Sequence, residues 1–551
     1  MKKTLTVVAG FLLSVTFQLL PAQEFVQSEG VTSELHRKHL GEITFMAKPV
    51  PIEEYNESHF IQSFELKEKA DLNLRIFLSN SLTNSMHELA PSLTAEQLVQ
   101  QGNWQFSFFV DGNKVYEENL TPGAGSPEVK NTKMVFRVPL ISSTNEDHWG
   151  RFLWNRFMMS GGQEALSAGT HQLILELRPY VKTEESEITG SIVASGAIEV
   201  IVPEVPVSEK QIAVQAIAPK SDWWVAEHPL TGDTLRSLNT KIANGTFQDI
   251  TSIVVIRKGQ LALEEYFNGA KRKTLHDTRS VGKSVAGILT LMAIDRKLLS
   301  LEDNLGELYD MGKYAHPSPI KSSITVRQLL TMTSGLAGND SDPNSPGNEE
   351  KMYPTQDWVK FALDLPMDST KSPGQRWDYF TAGVVVLGDL LEQKVPGGLR
   401  KFADENLFHP LGIRKCKWQF TPQGVPNTAG GLRMRSLDLA RLGQLFKDEG
   451  TIGPLRLVEP SLLAQAMQDQ VPLPEDTGHS SYGYLLWNKT YVVEGVEYPV
   501  SMANGNGGNK LIIFHDQPWV IVITATAYGK PFAHAQADRI VQEFLIPALT
   551  Q

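Results

Sequence analysis

The chain of 551 residues contains a single cysteine, Cys416. An intrachain disulfide and a cysteine-based metal cluster are therefore excluded, and Cys416 reads as a packing residue. The 13 histidines are scattered without ligand spacing, and no His-Glu-x-x-His occurs. The sequence thus implies no metal and no organic cofactor. Lys and Arg form no cluster, and the net charge is -11. Such a field repels phosphate, so no nucleic-acid partner is expected. After the first 22 residues no apolar run is long enough to span a bilayer. Gly-x-Ser-x-Gly is absent as well, which removes the nucleophile elbow of an α/β-hydrolase. Gly282-Lys283-Ser284 matches the end of a phosphate loop, but Asp277 stands where that loop needs its first glycine.

What is present begins with a leader. Lys2 and Lys3, an apolar run from Leu5 to Leu20 and the small-residue exit Leu20-Pro21-Ala22 read as a secretory signal over residues 1–22. The mature protein is expected to be exported, periplasmic or secreted, and free of the membrane. The remaining length is too great for one core. Residues 23–202 are strand-rich at Leu72–Leu78, Trp104–Val110, Lys133–Leu140 and His171–Leu177, with a hairpin signal at Asp111-Gly112-Asn113 and a closing strand pair over Ile188–Val202. This pattern predicts an all-β sandwich. Trp149, Trp154, Met158 and Met159 lie in a less regular stretch and read as core. Pro203, Pro206 and Pro219 mark a linker over 203–220.

Residues 221–551 predict an α+β domain, an antiparallel sheet flanked by helices. Thr251–Arg257 and Leu261–Phe267 read as a hairpin, and Leu511–Phe514 and Trp519–Thr524 as late strands of the same sheet. Helical patterns lie between them at Thr325–Met332, Gly383–Gln393, Leu437–Lys447 and Pro460–Met467, with a last one at Ala533–Leu545. Residues 337–354 form a loop too polar to pack, expected to be a lid or disordered.

Ser280-Val281-Gly282-Lys283 carries the chemistry. Residues three apart on a helix are neighbours, so the amine reaches the hydroxyl. An amine in apolar surroundings loses part of its preference for the charged form and can take the proton of a serine. Ser-x-x-Lys should occur by chance roughly twice in a chain of this length, and it occurs twice. Ser318-Pro319-Ile320-Lys321 is flanked by prolines and reads as a turn. Ser280 instead opens an apolar helix bearing Val281, Val285, Ile288, Leu289 and Met292. The plain alternative is a capping serine and a lysine whose head reaches water.

Three further segments accompany it: Ile324–Leu336 with Thr333-Ser334-Gly335, Pro373-Gly374-Gln375-Arg376-Trp377-Asp378-Tyr379-Phe380-Thr381, and Asn504-Gly505-Asn506-Gly507-Gly508-Asn509. In this order and spacing they resemble the class C β-lactamase-like serine hydrolases. That group includes penicillin-binding carboxypeptidases, family VIII esterases and nylon-oligomer hydrolases. The resemblance covers about residues 230–548 and implies a β-lactamase/penicillin-binding-protein-like fold. It further implies Ser280 as acyl-forming nucleophile, Lys283 as activating amine and Tyr379 as proton relay. The N–H groups of Ser280 and Asn509 would form the oxyanion hole. Thr381, Asn506, Gly507 and Gly508 would meet substrate. Whether Lys283 or Tyr379 acts as base stays open, because a coupled pair titrates jointly.

Two departures bear on substrate. Thr381 stands where the family often has asparagine, and Asn506 replaces a cation that commonly meets a substrate carboxylate. A neutral amide binds a carboxylate more weakly than a cation does. The expected partner is therefore a small neutral ester or amide, or a peptide. A D-alanyl-D-alanine peptidase or β-lactamase is the alternative within enzymes. A weakly reactive binding or sensor protein is the alternative outside them.

Overall fold

The computed structural model describes residues 25–551 except 52, 68, 145–147, 184–185 and 219–221. The leader read over residues 1–22 lies outside these. The chain divides into two compact units between Val205 and Pro206.

The N-terminal unit holds two sheets around one core. The larger runs Ser63–Glu65, Ala194–Val202, Gly169–Lys182, Gly102–Val110 and Asn113–Asn119, with Glu187–Thr189 also on Gly169–Lys182. The smaller is Ile43–Met46, Leu72–Phe77 and Val135–Ile141. Phe106, Phe108, Leu173 and Leu175 of the first share a core with Phe45, Leu74, Ile76 and Val138 of the second. Asp111 and Gly112 have φ of 50° and 83°, as a two-residue hairpin turn requires.

Two expectations for this unit need correction. The strands within Ile188–Val202 both pair with Gly169–Lys182, and not with each other. The unit is also not all-β: helices Leu82–Leu89, Ala95–Gln101, Pro127–Thr132 and Trp149–Phe157 interrupt the strands. Their start signals are local. Thr94 and Gln97 form a capping box, and Ser126 caps a helix with Pro127 in its first turn. Trp154 and Phe157 of the last helix are core.

The C-terminal unit is built on one antiparallel eight-stranded sheet. Its order is Gln260–Tyr266, Ile250–Arg257, Trp519–Ala525, Asn509–Phe514, Val496–Gly505, Trp487–Val493, Ser481–Tyr482 and Val471–Pro472. Strands from both ends of the unit thus pair as the second and third strands of one sheet. Ile253, Val255, Ile521 and Ile523 face helices Asp233–Ala243 and Ala533–Ile540. Val254, Ile256, Val520 and Val522 face helix Ser436–Lys447, while Val281–Asp295 packs on the neighbouring strands Val496–Gly505 and Asn509–Phe514 and carries Thr381–Lys394 on its far side. Burial on both faces explains why these strands read as continuous apolar runs. Each such side chain contributes roughly 1.5–3 kcal/mol on burial. Residues 206–218, read as linker, belong to this unit: helix Glu209–Ile212 precedes Gln215, whose N–H donates to Glu265 at 2.9 Å. Cys416 packs on the core, where burial pushes its thiol up to about 11.

His276, on the short strand leading to Ser280, lies between Thr251 and Thr524, 3.2 and 3.1 Å from their hydroxyls. Burial pushes its pKa down to about 4. The unfolded chain then binds the proton near 6.5 and the folded chain only near 4, so stability rises with pH across that window. We expect the melting temperature to hold above pH 6.5 and to fall as pH drops from 6.5 to 4, with about 3 kcal/mol lost at most through this residue. Burial holds His479 and His534 near 4 as well, so calorimetric melts of wild type and His276→Gln, the variant losing one residue's share of the slope, are the check.

Candidate active site

Ser280 sits where a strand hands over to a helix. Arg279 takes the left-handed conformation, φ 50°, and turns the chain into Val281–Asp295. The Ser280 side chain caps nothing. Its N–H bonds no backbone acceptor among the described residues. One turn on, Lys283 is 2% exposed. Its Nζ donates to Ser280 Oγ at 2.8 Å and to the Ala429 carbonyl at 2.6 Å. The capping-serine and solvated-lysine alternative therefore does not describe this pair. It does describe the second copy: Ser318 caps helix Pro319–Ser322 by accepting from Lys321 N–H, while Lys321 Nζ turns to the Ala315 carbonyl.

Tyr379 joins from the segment before helix Thr381–Lys394. Lys283 Nζ lies 5.0 Å from its ring centroid. The ring stacks on Trp487 at 5.6 Å and lies 6.1 Å from Trp377. Tyr482, packed on both tryptophans, completes an aromatic wall, and full burial raises its phenol well above the ordinary value. A wall of rings leaves the Tyr379 phenol little lateral freedom.

The third motif turns between Val496–Gly505 and Asn509–Phe514. At Gly505 a Cβ would stand 2.3 Å from the Thr278 carbonyl, so only glycine lets this strand end press against the backbone two residues before Ser280. Gly507 and Gly508 both have φ of 90°. Asn509 is buried, and its side-chain amide ties the turn together by donating to the Asn506 and Ala525 carbonyls at 2.9 and 3.1 Å. Asn506 is exposed, its Oδ1 accepting from Gly529 N–H at 2.9 Å.

Thr381 is fully buried at the first position of its helix. That burial keeps its side chain off the open surface. Lys510, four residues past Asn506, is no substitute for the missing cation: it is fully buried and paired with Asp538 at 2.9 Å. Arg279 is exposed but leans over the Tyr528 ring, 3.6 Å from the Asp277 carboxylate.

The loop over 337–354 departs from expectation. It packs, with Ser345, Asn348 and Met352 buried and a helical turn at Glu349–Met352. Asp340 is the reason. Its carboxylate accepts from Thr381 N–H at 2.7 Å and Glu349 N–H at 2.8 Å, while its own N–H donates to the Tyr379 carbonyl at 2.8 Å. Burial raises its pKa, opposed by the Thr381 hydrogen bond and the nearby Lys283 charge. Sequence reasoning missed Asp340, because a lone aspartate in a polar loop carries no motif.

A family model, Beta-lactamase, matches residues 249–545, more than half of the chain. The chain belongs to the beta-lactamase family. Its C-terminal unit is thus a member of a fold shared by serine hydrolases, and the resemblance read from the motifs holds. Among curated proteins none matches. Three solved structures show the range of similar chains. A candidate beta-lactamase from Bacteroides dorei is 20% identical, covering 58% of this chain and 100% of its own, with a TM-score of 0.49. A candidate 6-aminohexanoate-dimer hydrolase from Bacillus anthracis is 16% identical, covering 59% and 88%, TM-score 0.47. EstCE1, a hydrolase with promiscuous acyltransferase activity, is 16% identical, covering 54% and 93%, TM-score 0.45. No described helix is long and apolar enough to cross a membrane.

Removing the Asp340 carboxylate leaves two buried N–H groups without their acceptor, about 1–3 kcal/mol each. Asp340→Ala is expected to lower the melting temperature and the rate of Ser280 acylation by about tenfold or more. Asp340→Asn, which keeps one acceptor oxygen, is expected to lose less of both. Stopped-flow acylation beside calorimetry tests this, and an unchanged acylation rate in the alanine variant removes the positioning role.

Proposed function

We propose that this beta-lactamase-family protein is an exported serine hydrolase that cleaves a neutral ester or amide through a Ser280 acyl-enzyme. The observation that carries the reading is the 2.8 Å contact between Lys283 Nζ and Ser280 Oγ, with the amine buried. In the neutral state that amine accepts the hydroxyl proton along the same contact as Oγ bonds to the substrate carbonyl carbon. The Ser280 and Asn509 N–H groups hold the oxyanion, two aimed donors worth several kcal/mol. As the tetrahedral intermediate collapses, Tyr379 passes the proton from the amine to the departing alcohol or amine. A water molecule then attacks the acyl carbon, giving its proton back through the same pair, and serine is restored with release of the carboxylic acid.

Gly507 and Gly508 let substrate lie close to the backbone, and the Asn506 amide offers a neutral contact beside them. The preference for substrates without a carboxylate rests on the cations nearby: Lys510 is held by Asp538 and Arg279 by Asp277. Export rests on the leader over residues 1–22.

A fluorescent phosphonate is expected to label wild type but not Ser280→Ala. Lys283→Met should acylate roughly 10²–10⁴-fold more slowly, the usual worth of a positioned base. Short-chain aryl esters should be turned over far faster than a cephalosporin. Labelling that survives Ser280→Ala defeats the nucleophile assignment, and a cephalosporin preferred to the esters defeats the substrate class.

A further inference from the structure

The N-terminal unit contains a cavity of about 320 Å³ that the hydrolase reading does not use. Its lining is mixed, an apolar and aromatic side facing a polar rim that includes Asn103, Glu118, Arg137, His148 and Arg156. Trp104 and Phe136 lie nearly parallel, 6.3 Å apart with 22° between their planes, and Trp149, Leu120 and Val129 close further sides. Lys130 also lines it, only 4% exposed. Its Nζ donates to the Val99 and Gly102 carbonyls at 2.7 and 2.9 Å, leaving a third N–H without an acceptor among the described residues.

Other cations around the cavity have partners, Arg137 donating to the Asn73 side-chain oxygen at 2.8 Å. Arg156 grips Glu118 with two hydrogen bonds of 2.8 and 2.5 Å, and Lys133 meets Glu29 at 3.0 Å. Among the described residues no carboxylate pairs with Lys130. Burial pushes its amine down to about 8, which still leaves it protonated near neutral pH. A buried cation with no carboxylate on it among the described residues is stabilised when an anion joins it.

We propose that this cavity binds a small organic monoanion, a carboxylate carried on a flat apolar body, with the carboxylate on Lys130 Nζ and the body against Trp104, Phe136 and Trp149. Charge and shape are selected by different walls. The ammonium supplies a charge-assisted hydrogen bond, and the rings supply stacking area. The volume of about 320 Å³ admits one or two fused rings. Any such ligand reads the N-terminal unit as a sensing or docking module, independent of Ser280.

The test is titration calorimetry of the full-length protein with 2-naphthoate and with 2-naphthalenemethanol, which shares its rings and lacks its charge. Naphthoate is expected to bind one to one and about tenfold or more tighter than the alcohol, the usual margin of a charge-assisted hydrogen bond. Lys130→Met should remove that margin and leave the alcohol unaffected. Because Lys130 also satisfies two carbonyls, Val129→Glu provides a second probe at a wall position 49% exposed. It should weaken naphthoate about tenfold while leaving phosphonate labelling of Ser280 at the wild-type level. Absence of naphthoate binding, equal affinity for the two probes, or wild-type affinity in the folded variants overturns the proposal. None of these outcomes touches the hydrolase assignment, which phosphonate labelling reads separately.

Discussion

A lysine amine held out of water, with two oxygens as its hydrogen-bond partners and neither of them a carboxylate, is the constraint around which the C-terminal unit is organised. Lys283 reaches Ser280 Oγ and the Ala429 carbonyl. A carboxylate in either place would make the amine half of an ion pair; its partners here are a hydroxyl and a carbonyl. The apolar helix behind it, the Ala429 segment crossing in front and the Tyr379 ring beside it each remove water from that amine. The eight-stranded sheet brings the glycine turn within contact of the same segment through Gly505 and Thr278.

Other buried lysines in the chain show what sets this one apart. Lys510 has Asp538, and the pair depresses the aspartate well below its ordinary range. Lys321 has a carbonyl, and the serine at the matching spacing is occupied as a helix cap. Lys130 has two carbonyls and a cavity. Equal burial thus accompanies an ion pair with Asp538, a carbonyl anchor, a pair of carbonyls beside a cavity or a contact with a serine hydroxyl. The polar atoms nearest the ammonium decide which.

The aromatic wall and the loop over 337–354 act on the phenol. Trp377 and Trp487, backed by Tyr482, flank the Tyr379 ring, while Asp340 bonds to the Tyr379 carbonyl and the Thr381 N–H. Backbone at both ends of residues 379–381 is thereby held by one residue, the Tyr379 carbonyl by the Asp340 N–H and the Thr381 N–H by the Asp340 carboxylate. Strand and helix positions alone would leave that short extended segment without hydrogen-bond partners, a costly state for buried backbone.

Local signals in the sequence sufficed for the elements and for the ordered motifs. Apolar periodicity marked helix Val281–Asp295 and the doubly buried strands, and Asp111-Gly112 marked its hairpin, because those features depend on neighbours along the chain. Helices in the N-terminal unit were legible too, in the Thr94–Gln97 box and the Ser126-Pro127 start, but dense strand patterns around them masked these. Tertiary structure alone decided the contacts between distant segments: Asp340 against Thr381, Trp487 against Tyr379, Lys510 against Asp538, and the two strand pairings of Gly169–Lys182. A polar loop becomes packed, and a cation becomes unavailable, only when a partner tens to hundreds of residues away arrives, and no periodicity records that arrival.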